Sequence, residues 1–257
     1  MDLHLNGDVA LKYKSQCQVA RHLTQSWARD NLYCVACPSD TLLPTREGTP
    51  SIDFFCPNCH ETFQLKSLRH PFGRKIVDSA YEPMMSSIHS GTVPNFLFLN
   101  YDPHSWTVNT LFAVPKHFFT PSIIEQRKPL SDTARRKGWI GCNIVLSNIP
   151  DDGRITLVLN QTPCNPRIVR AQWKRFTFLQ DSSLSLRGWT VDVLACVRNL
   201  QSKSFDLSEV YTFEKHLQKL HPDNKNIRPK IRQQLQILRD KGIIEFTSRG
   251  MYMFKEP

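Results

Sequence analysis

The sequence predicts an α/β domain that holds a structural zinc ion, followed by a small α+β domain of the winged-helix type. Three observations predict this fold class. Helix-like and strand-like segments are mixed in the first part of the chain, and two Cys-x-x-Cys pairs lie among them. The last part then has the pattern of three helices followed by a hairpin. We therefore expect one domain over residues 1–181 and a second over residues 182–257.

The composition favours a protein that binds a polyanion. Of the 257 residues, 40% are hydrophobic, which is enough for a packed core. The formal charge of +10 is typical of nucleic-acid-binding proteins, although a basic surface that only faces solvent gives the same balance. No apolar run approaches the roughly 20 residues of a membrane helix, and the N-terminus lacks the pattern of a signal peptide. We expect a monomeric cytoplasmic protein with no membrane partner.

Four of the eight cysteines have the spacing of a zinc site. They form a first cysteine pair (Cys34, Cys37) and a second cysteine pair (Cys56, Cys59), with eighteen residues between the pairs. Two residues between cysteines let both sulfurs reach one ion from a single turn, and two such turns complete a tetrahedron. Because thiolates would fill all four positions, the zinc is expected to be structural. The alternative is a pair of redox dithiols.

A candidate catalytic cluster surrounds the second cysteine pair. Asp53 precedes it, and Gln64 and Lys66 follow it in a strand-like segment where both side chains point to one face. Oxygen ligands from Asp53 and Gln64 with a nearby lysine suit Mg²⁺-dependent phosphodiester hydrolysis. Taken alone the pattern is also that of a surface strand. Here, however, the zinc would fix the connection between the two segments that carry these residues.

A basic segment over residues 121–139 is a candidate DNA contact. Cations can reach phosphates and an aromatic ring can meet a base, and the residues expected to do so are Arg127, Lys128, Arg135, Arg136 and Trp139. The alternative is a solvated basic loop with the tryptophan in the core.

The C-terminal region is a second candidate DNA contact. Residues 184–257 hold 13 Lys+Arg and 8 Asp+Glu, a net charge of +5. The helices are expected at residues 189–200, 208–220 and 226–241, and the hairpin at residues 243–253. In the third helix, phosphate-reaching cations mix with amides that can pair with adenine, namely Arg228, Arg232, Gln233 and Gln234. A winged helix that binds protein is the alternative.

Hydrophobic periodicity predicts the remaining elements. An amphipathic helix is expected over residues 9–30, and a helix interrupted or kinked by Pro83 over residues 75–90. Strands are expected at residues 51–55, 62–66, 95–101, 106–114 and 155–159.

At these residues the sequence resembles the DpnI family of methyl-directed (type IIM) restriction endonucleases. The resemblance includes both cysteine pairs, Asp53, Lys66 and the segments 133–144 and 231–241. It implies an N-terminal PD-(D/E)xK nuclease domain with an embedded zinc, a C-terminal winged helix, and Mg²⁺ as the catalytic metal. It also implies a bacterial-type cell and cleavage of both strands of double-stranded DNA at GATC sites that bear N6-methyladenine, with both domains reading the methylated site.

Gln64 departs from the acidic residue of the PD-(D/E)xK pattern. An amide oxygen can ligate Mg²⁺ but adds no charge, so a weaker metal site is expected. Methyl-directed nucleases of the Mrr type look similar in using Gln at this position. Glu61 is expected on the opposite strand face from Gln64, so it should not replace it. The alternative function is therefore a methyl-dependent DNA-binding module with a weakened or silent nuclease site.

Overall fold

The computed structural model of the protein describes residues 1–46 and 48–255, apart from the side chains of residues 10–12. In this part of the chain the α-helices are α1 (Gln16–Asn31), α2 (Tyr81–Ser90), α3 (Pro166–Arg175), α4 (Leu184–Arg198), α5 (Leu207–Tyr211), α6 (Glu214–Leu220) and α7 (Ile227–Asp240). The strands are β1 (Leu43–Pro44), β2 (Phe54–Phe55), β3 (Thr62–Leu68), β4 (Lys75–Ala80), β5 (Asn95–Asp102), β6 (Thr107–Val114), β7 (Ile124–Gln126), β8 (Gly141–Val145), β9 (Ile155–Leu159), β10 (Thr162–Pro163), β11 (Ser204–Asp206), β12 (Ile244–Ser248) and β13 (Met251–Phe254).

The chain folds into two compact units. Both units contain helices and strands, so the mixed α/β class is confirmed. The first unit comprises Met1–Gly73, Thr92–Lys116 and Gly153–Lys174, and the second comprises Arg74–Gly91, His117–Asp152 and Arg175–Pro257. The expected domain boundary at residue 181 stays a prediction.

The first unit is built on a seven-stranded sheet with the order β1-β2-β3-β5-β6-β9-β10. β3 and β5 are parallel, and all other neighbours in this sheet are antiparallel. Residues 95–101 of the middle strand β5 are all buried, which is why the sequence there is a nearly continuous apolar run. The expected strands at residues 95–101, 106–114 and 155–159 are confirmed.

Helix α1 covers one face of β3. Leu23 and Trp27 of the helix belong to the same buried core as Phe63 of the strand, and the hydroxyls of Thr24 and Ser67 lie 3.2 Å apart. Since side chains alternate along a strand, α1 packs on the face that carries the odd-numbered residues of β3. The even-numbered residues of β3 therefore point to the other face of the sheet.

The second unit contains two three-stranded antiparallel sheets. One has the order β4-β8-β7. The other, with the order β11-β13-β12, belongs to the C-terminal segment that also holds α4 to α7. The predicted sequence of helices followed by a hairpin is confirmed, and Ile231, Leu235 and Leu238 of α7 are fully buried.

The structure corrects the prediction of a helix over residues 75–90. Residues 75–80 form β4, with Ile76 and Asp78 buried in alternation, and only Tyr81–Ser90 is helical. Pro83 lies in the first turn of α2, where a missing N–H costs no intrahelical hydrogen bond. The expected interruption at this proline is therefore wrong.

Other boundaries also differ from the expectation, and the strand expected at residues 51–55 covers only Phe54–Phe55. The helix expected over residues 9–30 is a 3-10 helix at Gly7–Lys12 followed by α1. The second C-terminal helix is divided into α5 and α6, and the short strand β11 precedes them. β11 has only three residues, too few for a periodic pattern to identify it.

Helix α4 starts earlier than expected because Ser183 caps it. Its hydroxyl oxygen accepts a hydrogen bond from the backbone N–H of Leu186 at 3.3 Å. This bond satisfies one of the N–H groups that the first turn of a helix leaves without a partner.

We predict that Ser183→Ala lowers the free energy of unfolding by about 1 kcal/mol, because the cap acceptor is lost. Urea denaturation of the full chain measures this. The matched control is Ser185→Ala, an exposed position in the same helix where alanine is the better helix former. Equal stability of the two variants would contradict the capping role.

Candidate zinc and nuclease sites

The four predicted zinc ligands lie together in the first unit. The Sγ atoms of Cys34 and Cys59 are 3.6 Å apart, those of Cys37 and Cys56 are 3.5 Å apart, and all four lie within 4.8 Å of one another. A zinc tetrahedron with Zn–S bonds of about 2.3 Å has S···S edges of about 3.8 Å. The cluster therefore fits one zinc ion, held by four thiolates.

Backbone N–H groups surround the sulfur of Cys56. Those of Asn58 and Cys59 point to it at 3.4 and 3.5 Å. Burial acts to raise the pKa of this thiol, but the two N–H groups and the neighbouring thiols of Cys37 and Cys59 together bring it down to about 6. Burial raises the pKa of Cys34 far above its ordinary value and that of Cys59 to about 11. Zinc binding must therefore displace protons, so the affinity for zinc should fall as the pH falls.

The first cysteine pair is braced by Arg170 of α3. The guanidinium donates to the carbonyl oxygens of Cys34 at 3.1 Å and Ser39 at 2.9 Å, and its carbon lies 5.1 Å from the ring centre of Tyr33. The sequence pattern did not point to this contact, since 136 residues separate Arg170 from Cys34.

The second cysteine pair closes the turn between β2 and β3. The N–H of Cys56 donates to the carbonyl of Glu61 at 2.9 Å, and the adjoining strands pair Phe54 with Phe63. The Glu61 carboxylate accepts from Asn95 at 2.8 Å and from the Lys116 ammonium at 2.9 Å. It is thus engaged with β5 and the end of β6, in line with the expectation that it does not replace Gln64.

Asp53 lies immediately before β2, at the edge of β3. Its Oδ2 accepts the backbone N–H of Leu65 at 2.8 Å, and its Oδ1 accepts from the side-chain amide of Gln25 at 2.8 Å. Leu65 stands between Gln64 and Lys66, so the Asp53 carboxylate is held against the segment that carries the other two predicted catalytic residues.

Gln64 and Lys66 share one face of β3, as predicted. Their partners in the parallel strand β5 are Phe96 and Phe98, and the Lys66 ammonium lies 5.9 Å from the ring centre of Phe96. Both residues are partly exposed. Among the described residues, no cluster of three or more His, Cys, Asp or Glu ligands other than the four cysteines was found. A metal held by the predicted residues Asp53 and Gln64 would rest on one carboxylate and one neutral amide oxygen.

Comparison with protein families covers nearly the whole chain. Residues 1–182 match the DpnI model, described as the Dam-replacing family, and residues 185–254 match the Dam-replacing HTH domain. The chain belongs to the DpnI family. This is a family of restriction endonucleases, and its helix-turn-helix domain indicates DNA binding. No helix in the described part of the chain is both long and apolar enough to span a membrane.

In this DpnI-family chain the predicted basic residues lie on a loop between β7 and β8, which we call the basic loop (residues 127–140). Backbone hydrogen bonds from Arg127 to Gly141 and from Leu130 to Trp139, both 2.9 Å, hold its two arms together. Lys128, Arg135 and Arg136 are exposed, and Arg127 is half-buried.

Trp139 is half-buried in the basic loop and does not lie in the core. The guanidinium carbon of Arg136 is 4.7 Å from the centre of its ring. A Cβ added to Gly141 would come within 2.7 Å of two atoms of the same ring, so the glycine makes room for the tryptophan. The alternative of a core tryptophan is wrong, and the ring is presented beside an exposed cation.

The exposed face of α7 carries three of the four residues predicted for it. Arg228 donates to the Glu214 carboxylate at 2.8 Å, and Arg232 donates to the hydroxyl of Tyr211 at 3.0 Å. Gln233 is exposed as well. These contacts fix both guanidinium groups on the surface of the winged helix.

Gln234 does not belong to this face, which corrects the prediction. It is fully buried, and its side-chain oxygen accepts from the hydroxyl of Thr190 in α4 at 2.7 Å. Because its amide packs between helices, it cannot reach a base, and we remove it from the candidate DNA contacts.

We predict that Cys56→Ser abolishes zinc binding, because three thiolates and a hydroxyl no longer match the ligands that zinc prefers. Metal analysis of the purified chain should give one zinc per wild-type molecule and none for the variant. Cys17→Ser, which changes an exposed cysteine outside the cluster, should retain the zinc. A Cys56→Ser protein with a full complement of zinc would contradict the assignment.

We also predict opposite outcomes for two adjacent glutamines. Gln234→Ala should lower the free energy of unfolding by about 1–3 kcal/mol, since it removes a buried hydrogen-bond partner. Gln233→Ala at the exposed neighbour should change it by less than about 0.5 kcal/mol. Thermal denaturation compares the two, and equal effects would show that the burial of Gln234 is incorrectly assigned.

Proposed function

We propose that this chain is a methyl-directed type II restriction endonuclease that cleaves both strands of double-stranded DNA at GATC sites bearing N6-methyladenine. The observation that carries the proposal is the hydrogen bond between the Asp53 carboxylate and the amide of Leu65. It joins Asp53 to the strand segment of Gln64 and Lys66, as a PD-(D/E)xK nuclease requires. Membership of the DpnI family supports the same activity.

The donor set at this edge fits Mg²⁺. Each carboxylate oxygen of Asp53 accepts one hydrogen bond and keeps a further lone pair for a metal, and the amide oxygen of Gln64 is a second hard ligand. When bound there, Mg²⁺ would stabilise negative charge on the phosphate and lower the pKa of a bound water. Gln25 and the Leu65 amide hold the Asp53 carboxylate in one orientation, which reduces the reorganisation that catalysis needs.

Lys66 is proposed to act on the phosphate itself. Its ammonium shares a strand face with Gln64 and can donate to the non-bridging oxygens, where negative charge develops as water attacks the phosphorus. A preorganised cation is most effective where water is partly excluded. The buried rings of Phe96 and Phe98 beside it provide an apolar surface of this kind.

Two surfaces are proposed to position the DNA. One is the basic loop, where the four predicted cations and the Trp139 ring can meet phosphates and a base. The other is the exposed face of α7, with Arg228, Arg232 and Gln233. Cations reach phosphates whatever the sequence, whereas amides and aromatic rings can distinguish bases.

Methyl recognition needs more than one reader. Burying one methyl group is worth about 0.8 kcal/mol, which is less than a factor of ten in affinity. A shaped pocket could reach about 1–3 kcal/mol for each methyl. If both domains read a methyl group, their preferences for methylated over unmethylated DNA multiply. A nuclease that must leave unmethylated host DNA intact requires this combined preference.

A second candidate function is a methyl-dependent DNA-binding module with a silent nuclease site. It is favoured by Gln64, because Asp53 is then the only carboxylate of the three predicted catalytic residues. A neutral second ligand gives weaker attraction for a divalent cation than a carboxylate does.

We predict that the zinc-loaded chain with Mg²⁺ cuts plasmid from an adenine-methylating host and leaves the same plasmid from a non-methylating host intact. Gel electrophoresis of the products measures this, and Asp53→Ala should abolish cutting because the metal loses its carboxylate ligand. Equal digestion of both plasmids would rule out methyl direction.

The variant Gln64→Glu separates the two candidates. If the natural site is active, the rate should change by less than about tenfold. If wild type binds methylated DNA without cutting it and Gln64→Glu restores cutting, the chain is a binding module with a crippled site. Gln16→Glu, at an exposed position of α1, is a control for the added charge.

A further inference from the structure

A cleft of about 330 Å³ lies beside Asp53 in the first unit. Helix α1 forms one wall and the segment before β2 forms the other, and the charged residues around it include Arg21, Arg29 and Arg46. Among the described residues that line the cleft, Asp53 is the one carboxylate. We call this the Asp53 cleft.

The α1 wall connects directly to Asp53. Arg21 and Gln25 are one helical turn apart, and Arg21 Nε donates to the side-chain oxygen of Gln25 at 3.4 Å. Gln25 in turn donates to Asp53 Oδ1 at 2.8 Å. The exposed guanidinium of Arg21 is thereby held at a fixed distance along the helix from the proposed metal ligand.

Arg29 lies one further turn along the same face of α1, but a neighbouring carboxylate compensates its charge. It donates two hydrogen bonds, at 2.8 and 3.2 Å, to the carboxylate of Asp30. On this wall the positive charge therefore comes mainly from Arg21.

The opposite wall is a closed turn that presents Arg46. The carbonyl of Arg46 accepts from the N–H of Thr49 at 3.1 Å and from its hydroxyl at 2.7 Å. The hydroxyl of Thr45 donates to the carbonyl of Ile52 at 2.7 Å. These bonds anchor the turn, so the exposed Arg46 is attached to a fixed support.

We infer that the Asp53 cleft binds the phosphate backbone of a DNA strand next to the bond that is cut, with Arg21 and Arg46 contacting phosphates from opposite walls. The inference rests on the proposed function, which it deepens by assigning backbone contacts that lie outside the basic loop and α7. Two exposed cations line a cleft that also carries the Asp53 carboxylate, so a phosphodiester chain lying in the cleft would meet positive charge on both walls. Guanidinium groups suit this role because they pair with phosphate oxygens in a fork.

The test measures binding of the full zinc-loaded chain to a DNA duplex at several salt concentrations, with Ca²⁺ in place of Mg²⁺. The slope of log K against log salt is negative, and each phosphate contact adds about 0.9 to its magnitude. Arg21→Ala and Arg46→Ala should each reduce the magnitude of that slope by about 0.9. Arg167→Ala, an exposed arginine of α3 outside the cleft, should leave it unchanged.

Methyl preference provides the second readout. Since phosphate contacts carry no sequence information, both variants should weaken binding to methylated and unmethylated GATC duplexes by the same factor. Arg21→Gln and Arg46→Gln, which keep most of the side-chain volume, should reproduce the slopes if an alanine variant unfolds. If the variants at Arg21 and at Arg46 both keep the slope of the wild-type protein, the inference is overturned.

The salt-dependence experiment and the plasmid-cutting experiment can fail independently. If wild type cuts methylated plasmid but the slopes do not change, the nuclease stands and the cleft is not a backbone site. If wild type does not cut but the slopes fall as expected, the cleft binds DNA and the nuclease proposal fails.

Discussion

The contact between the Asp53 carboxylate and the Leu65 amide is the interaction on which the account depends. β2 has only two residues, so the ladder between it and β3 is too short to hold Asp53 in place by itself. The Asp53 side chain supplies an additional link to β3, because its carboxylate accepts a hydrogen bond from the N–H of Leu65 at 2.8 Å. The position of the carboxylate relative to Gln64 and Lys66 thus follows from the geometry of the β2–β3 turn.

The zinc cluster controls that turn. The second cysteine pair lies between β2 and β3, and the first is tied to α3 through Arg170. Zinc binding to four thiolates can contribute on the order of 10 kcal/mol to local folding, which is comparable to the stability of a whole domain. A structural zinc can therefore set the register of the strands that are proposed to hold a different, catalytic metal.

Sequence reasoning was most successful where chemistry and local spacing coincide. The two Cys-x-x-Cys pairs identify the cluster, and strand alternation places Gln64 and Lys66 on one face. It failed at Gln234, although the helical period could have prevented the error. Gln234 follows Ile231 by three positions and therefore lies on the buried stripe of α7.

Other parts of the site could not have been predicted. Gln25 reaches Asp53 across 28 residues of sequence, and only the packing of α1 on β3 brings them together. The sequence did not predict β4, because its alternating buried positions include Asp78, and aspartate is usually found at the surface. Long-range contacts and buried polar groups depend on the assembled fold, which local patterns do not encode.

Hydrogen exchange at the Leu65 amide reports whether the zinc holds Asp53 against β3. With zinc bound, this amide donates to Asp53 and should exchange slowly. After zinc removal we expect the Leu65 amide to lose its protection, while amides in the middle of α7 in the other unit keep theirs. Unchanged protection of Leu65 in the zinc-free chain would contradict the claim that the zinc holds Asp53 against β3.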